Sequence, residues 1–395
     1  MRTSSLNTLR MWALSSVLLA SGMQLAHAQT YKILFQFRSG GDGAAPLAGL
    51  ISDPTGNLYG TTSSDGAFDS GVVFKISETH KETVLHSFTG SGGDGEYPLA
   101  GLIRDSAGNL YGTTANGGAY KGACGGVGCG IVFKIDSAGK ETVLHRFTGM
   151  PDASTPYASL IRAAAGNLYG TTFSGGKYGV GTVFKVDKNG AESVLYSFNP
   201  SNGDGFLPYG SLTTDPRGNL YGTTDSGGKF GGGTVFELDT SGSETILYNF
   251  GSYNGDGTFP TGRLIRDAAG NLYGTTQSGG TLGLGTVFKV DKNGTETLLH
   301  SFAGGMTDGE VPFLAGLVRD SQGNLYGVTN EGGRFGFGTI YKVAPSGKET
   351  LLHSFDGKDG KIPYGAPLLD TKGDLYGTTN AGGAYGGGVV YEIVR

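Results

Sequence analysis

The sequence predicts an all-β fold: a seven-bladed β-propeller of four-stranded antiparallel blades, its ring closed by the N-terminal strand joining the last blade. Three observations carry this. A phrase of the form G-[ND]-L-Y-G occurs seven times, beginning at Gly56, Gly108, Gly166, Gly218, Gly270, Gly323 and Gly373, at steps of 52, 58, 52, 52, 53 and 50 residues. Each interval holds four short runs of strand character, and about 40–50 residues of four strands is the propeller period. The two ends are also complementary. Residues 31–37, "YKILFQF", match the fourth run of a repeat, and the closing "GVVYEIV" matches the third.

The elements follow in chain order. "MRTSSLNTLR" carries Arg2 and Arg10 and no acid, "MWALSSVLLA" is apolar, and Ala26 and Ala28 precede Gln29. This is the layout of a secretory signal peptide over residues 1–28, cut after Ala28. A transmembrane anchor is the weaker reading, because the apolar run is short and broken by Ser15, Ser16 and Ser21. A single propeller domain is expected over 29–395. No later segment is long and apolar enough to span a membrane, and the strand-like ending gives no C-terminal anchor. Loss of Arg2 and Arg10 takes the net charge from −5 to −7. That mildly acidic chain has no basic patch, so nucleic acid is not an expected partner. The mature protein is expected to be secreted or periplasmic, and monomeric.

In the second repeat the four runs read "PLAGLIRD", "GNLYGTT", "GIVFKID" and "KETVLHRF". Val, Ile, Phe, Tyr and Thr dominate them, as strands prefer. "DSAGN" and "DSAGK" supply tight turns in which Asp bonds the following backbone and Gly takes the left-handed position. The 75 glycines would in isolation suggest low complexity, but they fall at turns between regular strands. The long step holds the only cysteines, Cys124 and Cys129 in "ACGGVGCG", read as a local disulfide of an oxidising compartment. A metal site there would need further Cys or His ligands, and none is near. A straight solenoid would need capped ends, whereas a closed ring removes the exposed strand edges.

The combined repeat, as in "GNLYGTTFSGGKYGVGTVFKVDKNGAESVLYSF", resembles the GloVer tandem repeat of bacterial exported proteins often described as "choice-of-anchor" proteins. The resemblance covers nearly the whole mature chain. It implies an exported repeat protein and no particular activity.

Two loop sets are expected on one face. The blade-to-blade loops share Asp-x-x-x-Pro, with Asp42, Asp94, Asp152, Asp204, Asp256, Asp308 and Asp359. A ring of carboxylates for a cation or polyol is one reading. Turn capping, which every blade needs, is the expected one. The loops between second and third strands read T-T-x-x-G-G-x-aromatic, with Phe68, Tyr120, Tyr178, Phe230, Phe335 and Tyr385, and Leu282 in the remaining blade. These rings can stack on sugars, but are expected to plug gaps between loops. Positions that break the repeat are the candidate ligand-binding residues: Asp65, Phe173, Asp225, Gln277, Asn330 and Glu331, with Arg263 expected to point from an innermost strand into the central channel. An anion, or pairing with a nearby Asp, would answer that charge.

His86, His145, His300 and His353 share an outer-strand position with Tyr196, Tyr248 and Phe35, so a flat ring for packing is expected there. No histidine is expected on the binding face, which argues against a His-based triad. No motif calls for a cofactor or metal. Carboxylate chemistry by Asp65, Asp225 or Glu331 stays open. The expected function is an exported binding or interaction module for an extracellular glycan or protein. A carbohydrate-active hydrolase or lyase using carboxylates on the loop face is the alternative.

Overall fold

A computed structural model describes residues 29–118, 122 and 124–395. Residues 1–28, read above as a signal peptide, and Tyr120 lie outside them. The described chain forms seven four-stranded antiparallel sheets. The third blade is typical. Its strands run Ile161–Arg162, Leu168–Thr172, Thr182–Val186 and Glu192–Ser197, from the channel outward. The seventh is built from both ends of the chain. Thr30–Gln36 pairs antiparallel with Val389–Val394, which continues through Leu375–Thr379 to Leu368–Leu369.

The recurring phrase now has a physical reading. In the first blade Gly56 takes the turn at φ 83°. Asn57 and Tyr59 both donate to the turn carboxylate of Asp53. Leu58 is buried. Gly60 is needed because a Cβ there would stand 2.6 Å from the Phe74 ring. Thr61 donates to Ala100 O of the next blade at 3.0 Å. One phrase therefore makes a turn, a core contact and a bond between blades, so each blade repeats it. In the sixth blade Val328 replaces this threonine, and a fully buried methyl group stands where the hydroxyl would be.

Between blades runs a ring of edge-to-face aromatic pairs. The Phe after each outermost strand meets the third-strand ring of the next blade. Examples are Phe88 with Phe133 at 5.1 Å and Phe302 with Tyr341 at 5.0 Å. Phe37 of the N-terminal strand meets Phe74 of the first blade at 5.1 Å, and so closes the circle. Such pairs contribute about 0.5–1.5 kcal/mol each beyond their burial.

The innermost runs form regular ladder over two residues only, as at Ile103–Arg104. The residues before them approach their counterparts in neighbouring blades instead. A Cβ on Gly49 would lie 2.5 Å from Ala366 O. The two loop sets do share one face. Ala153–Ser154 of a blade-to-blade loop pairs with Ser174–Gly175 of a second loop, and four further blades repeat this. Cys124 and Cys129 are joined in a disulfide with Cα atoms 5.3 Å apart.

Candidate functional site at the channel mouth

The blade-to-blade loop delivers its proline to the top of the channel, and the next residue faces the mouth. That residue is Leu47, Leu99, Tyr157, Tyr209, Thr261, Phe313 or Tyr364. The aromatic members form a chain of ring contacts. Tyr157 stacks on Tyr209 at 5.4 Å, and Phe173 leans on both, at 5.3 and 4.7 Å. Phe313 follows at 5.9 Å from Tyr209, and Tyr364 at 6.1 Å from Phe313. All five rings are half-buried, so each keeps a face or edge open.

Polar groups stand among them. Asp225 occupies the loop position of Phe173 in the next blade. Its carboxyl accepts from Ser226 Oγ at 2.6 Å, and burial holds it above the ordinary range. Burial, then Tyr157 and Asp225, pushes the Tyr209 phenol up to about 12. Burial also raises Tyr364, with a smaller push from Glu331. Gln277, Glu331 and Lys361 line a side recess of about 430 Å³ with Phe313, Phe337 and Tyr364. The channel below measures about 530 Å³. Arg263 lines it, as expected from sequence, and no carboxylate pairs with it among the described residues.

Most of the sequence-derived candidates therefore converge. Phe173, Asp225, Gln277, Glu331 and Arg263 line the mouth, its recess or the channel. Asn330 also lines the recess, but it is buried and its amide is occupied. Oδ1 accepts from Phe313 N and Nδ2 donates to Pro363 O, both at 2.7 Å. It positions the two aromatic loops. Asp65 holds left-handed backbone at φ 59° where other blades have Gly, and it lines neither cavity. The mouth tyrosines and Phe313 were missed. Their signal was the variable residue after each shared proline.

The outer aromatics depart from expectation. Phe68 is 57% exposed and Leu282 61%, and Tyr178, Phe230, Phe335 and Tyr385 are also exposed. They plug nothing. The loop places them at the outer rim, where Lys177 N donates to Ser197 Oγ of the outermost strand. Cations cover some of them, such as Arg38 over Tyr385 at 5.2 Å.

Aspartates of the ring cap turns at six joints between blades, whereas no side-chain hydrogen bond reaches Asp42 among the described residues. Asp256 accepts from Ser252 N and Oγ and from Tyr248 OH, and Asp204 from Asn199 N and Tyr196 OH. The outer-strand rings thus do more than pack. Tyr196 and Tyr248 hydrogen-bond the joint aspartate, and His353 does so at 2.8 Å. Each joint but one adds a glutamate from the next outermost strand. In the last joint Tyr31 takes that place, stacked on His353 at 4.0 Å and donating to Asp359 O at 2.6 Å. In two joints, His86–Asp94–Glu141 and His145–Asp152–Glu192, the ligand-type atoms lie within 4.8 Å of one another, a set that can hold a divalent cation. Tyrosine serves the same position in two other joints and Phe35 in the first, so the fold itself asks only for a flat ring there.

Fold and face define a seven-bladed propeller with an aromatic channel mouth. The chain belongs to the Gloeobacter/Verrucomicrobia repeat family, whose model matches residues 23–127, 122–320 and 307–395. No curated protein matches it. Solved structures similar to it include a streptogramin B lyase, with TM-score 0.60 and 12% identity over 93% of this chain and 97% of that one. A copper-bound fungal alcohol oxidase of the AA5 family has TM-score 0.60 and 14% identity over 93% and 76%. A puromycin-hydrolysing peptidase of Mycobacterium tuberculosis has TM-score 0.51 and 12% identity over 88% of this chain and 53% of that one. At such identities the likeness is one of fold.

Proposed function

We propose that this is an exported binding module that holds an extracellular glycan at the mouth of its central channel. The run of five half-buried rings from Phe173 to Tyr364 carries the reading. Rings with one open face stack on the apolar face of a sugar, and tyrosine adds a hydroxyl at low conformational cost. Asp225, Gln277 and Glu331 supply acceptors and donors for sugar hydroxyls around the stack. The signal peptide over 1–28, a single domain over 29–395 and a disulfide agree with export to the periplasm or beyond.

A carbohydrate-active hydrolase or lyase is the second reading, favoured by one observation. The half-buried Asp225 carboxyl is held above its usual range, as an acid catalyst requires. A polysaccharide screen of the purified protein, reading both binding and product release, tests the two together. Binding without release, weakened about tenfold or more in Tyr209→Ala and Phe313→Ala, is the expected result. Binding indifferent to both substitutions would move the site elsewhere.

A further inference from the structure

The channel is lined by glycine, alanine, serine and threonine together with leucine and other apolar side chains, and no Asp or Glu lines it among the described residues. Among the described residues, the charged side chains that line it are Arg162 and Arg263. Arg162 is engaged with the Tyr111 ring, 5.8 Å from its centroid. Arg263 has no hydrogen bond, ion pair or ring contact among the described residues. Its side chain is exposed to the water of the channel, and the surrounding protein pulls its pKa below the usual arginine range. A guanidinium inside a channel with no protein partner is open to an anion that a ligand brings.

Its neighbours match this need. Arg263 precedes the buried Leu264 of the fifth blade. Ser159 and Ser211 precede Leu160 and Leu212 at the same level of the third and fourth. Three adjacent blades thus present donors. The first two blades have Gly49 and Gly101 at this level, and the sixth has Gly316, which leaves room across the channel. Ser211 Oγ accepts from Ser159 N at 2.9 Å, so its O–H remains free to donate. The arc lies directly beneath the aromatic mouth. Thr261, at the mouth position, is two residues before Arg263, and both line the channel.

We infer that the channel is an oxyanion site in which Arg263, with the Ser159 and Ser211 hydroxyls, receives a carboxylate or sulfate borne by the ligand. This deepens the binding reading above: the glycan taken at the mouth is an acidic one, its anionic group directed down the channel. A guanidinium presents paired N–H groups that fit a planar carboxylate or two sulfate oxygens.

Isothermal titration at low ionic strength tests this with three probes: glucuronate, sodium sulfate and glucose, each against a chloride-matched blank. Saturable binding of glucuronate or sulfate is expected, weakened at least about tenfold in Arg263→Gln and less in Arg263→Lys, with glucose showing no dependence on residue 263. The stronger of the two anions tells a carboxylate ligand from a sulfated one. Anion binding unchanged in Arg263→Gln, or absent from the parent protein, overturns the inference. The two readings fail separately. Anions bound through Arg263 while the polysaccharide screen is blank would leave the channel site standing without the mouth. Neutral glycans bound through Tyr209 with no anion effect would do the reverse.

Discussion

Glu244→Gln should make the protein more stable at pH 8.5 and leave it nearly unchanged at pH 5. Glu244 stands at the joint of the third and fourth blades. Its Oε1 is buried without a hydrogen-bond partner, and burial, with the Asp204 charge, pushes its carboxyl up to about 7. The folded protein therefore holds a proton there that the unfolded chain releases near pH 4.5. A raised carboxyl pKa favours folding most at low pH, and that contribution fades as pH climbs from the unfolded value through the folded one. The shift from 4.5 to about 7, at about 1.36 kcal/mol per unit, sets a ceiling of roughly 3.4 kcal/mol. Partial exposure and screening bring this to about 1–2 kcal/mol. Glutamine keeps the shape of the protonated acid and cannot ionise. In a propeller of this size the gain at pH 8.5 corresponds to about 1–3 °C in melting temperature. This joint has Tyr196 in place of a histidine, so no imidazole titration overlaps the effect. Scanning calorimetry of parent and variant between pH 5 and 8.5 gives the answer. A variant that melts below the parent at pH 8.5, or equally at both ends, would refute an elevated carboxyl at this joint. Glu82, Glu192, Glu296 and Glu349 are likewise pushed to about 7, so the parent itself should lose stability over the same range.

Other consequences can be measured directly. Deleting residues 31–37 removes the outermost strand of the seventh blade, the Phe37–Phe74 pair and the Tyr31–His353 stack, and leaves Val389–Val394 as an open edge. Aggregation or a large fall in melting temperature is expected, and a monomer melting like the parent would contradict ring closure. The Cys124–Cys129 bond joins residues only 5 apart in sequence, so Cys124→Ser with Cys129→Ser should cost no more than the low end of the roughly 2–4 kcal/mol usual for disulfides. Two titratable thiols in the unreduced, unfolded protein would show that the bond does not form. Asp256→Ala strips Ser252 N, Ser252 Oγ and Tyr248 OH of their acceptor, and should destabilise by about 1–3 kcal/mol while sparing ligand binding. Loss of binding at unchanged stability would place the site at the joints.

The propeller was legible because each residue of the repeated phrase has one task in every blade. Gly60 makes room for Phe74, Thr61 reaches Ala100, and the turn aspartate holds Asn57 and Tyr59. Strand periodicity and complementary ends then fixed the blade count and the closure. Residues that break the repeat were also informative. Arg263 was expected in the channel and lines it. What escaped depends on contacts between distant loops. Tyr157, Tyr209, Phe313 and Tyr364 are 51 to 207 residues apart and form a surface only once the ring closes. Asn330 gave no sign that Phe313 N and Pro363 O would claim its amide. The rim aromatics were misjudged because a conserved-looking ring beside two glycines reads as packing, whereas the glycines lift it outward. The histidines were half understood, as packing rings whose aspartate partners sit six to eight residues on.

The most direct test of ligand uptake at the mouth is hydrogen–deuterium exchange on the protein with and without a glycan from the screen. Protection is expected in the loops around 155–157, 207–209, 311–314 and 361–364, with the outermost strands and the turns on the far face unchanged. Protection spread along the outer rim at Phe68, Tyr178, Phe230 and Tyr385, with the mouth loops exchanging as before, would contradict it.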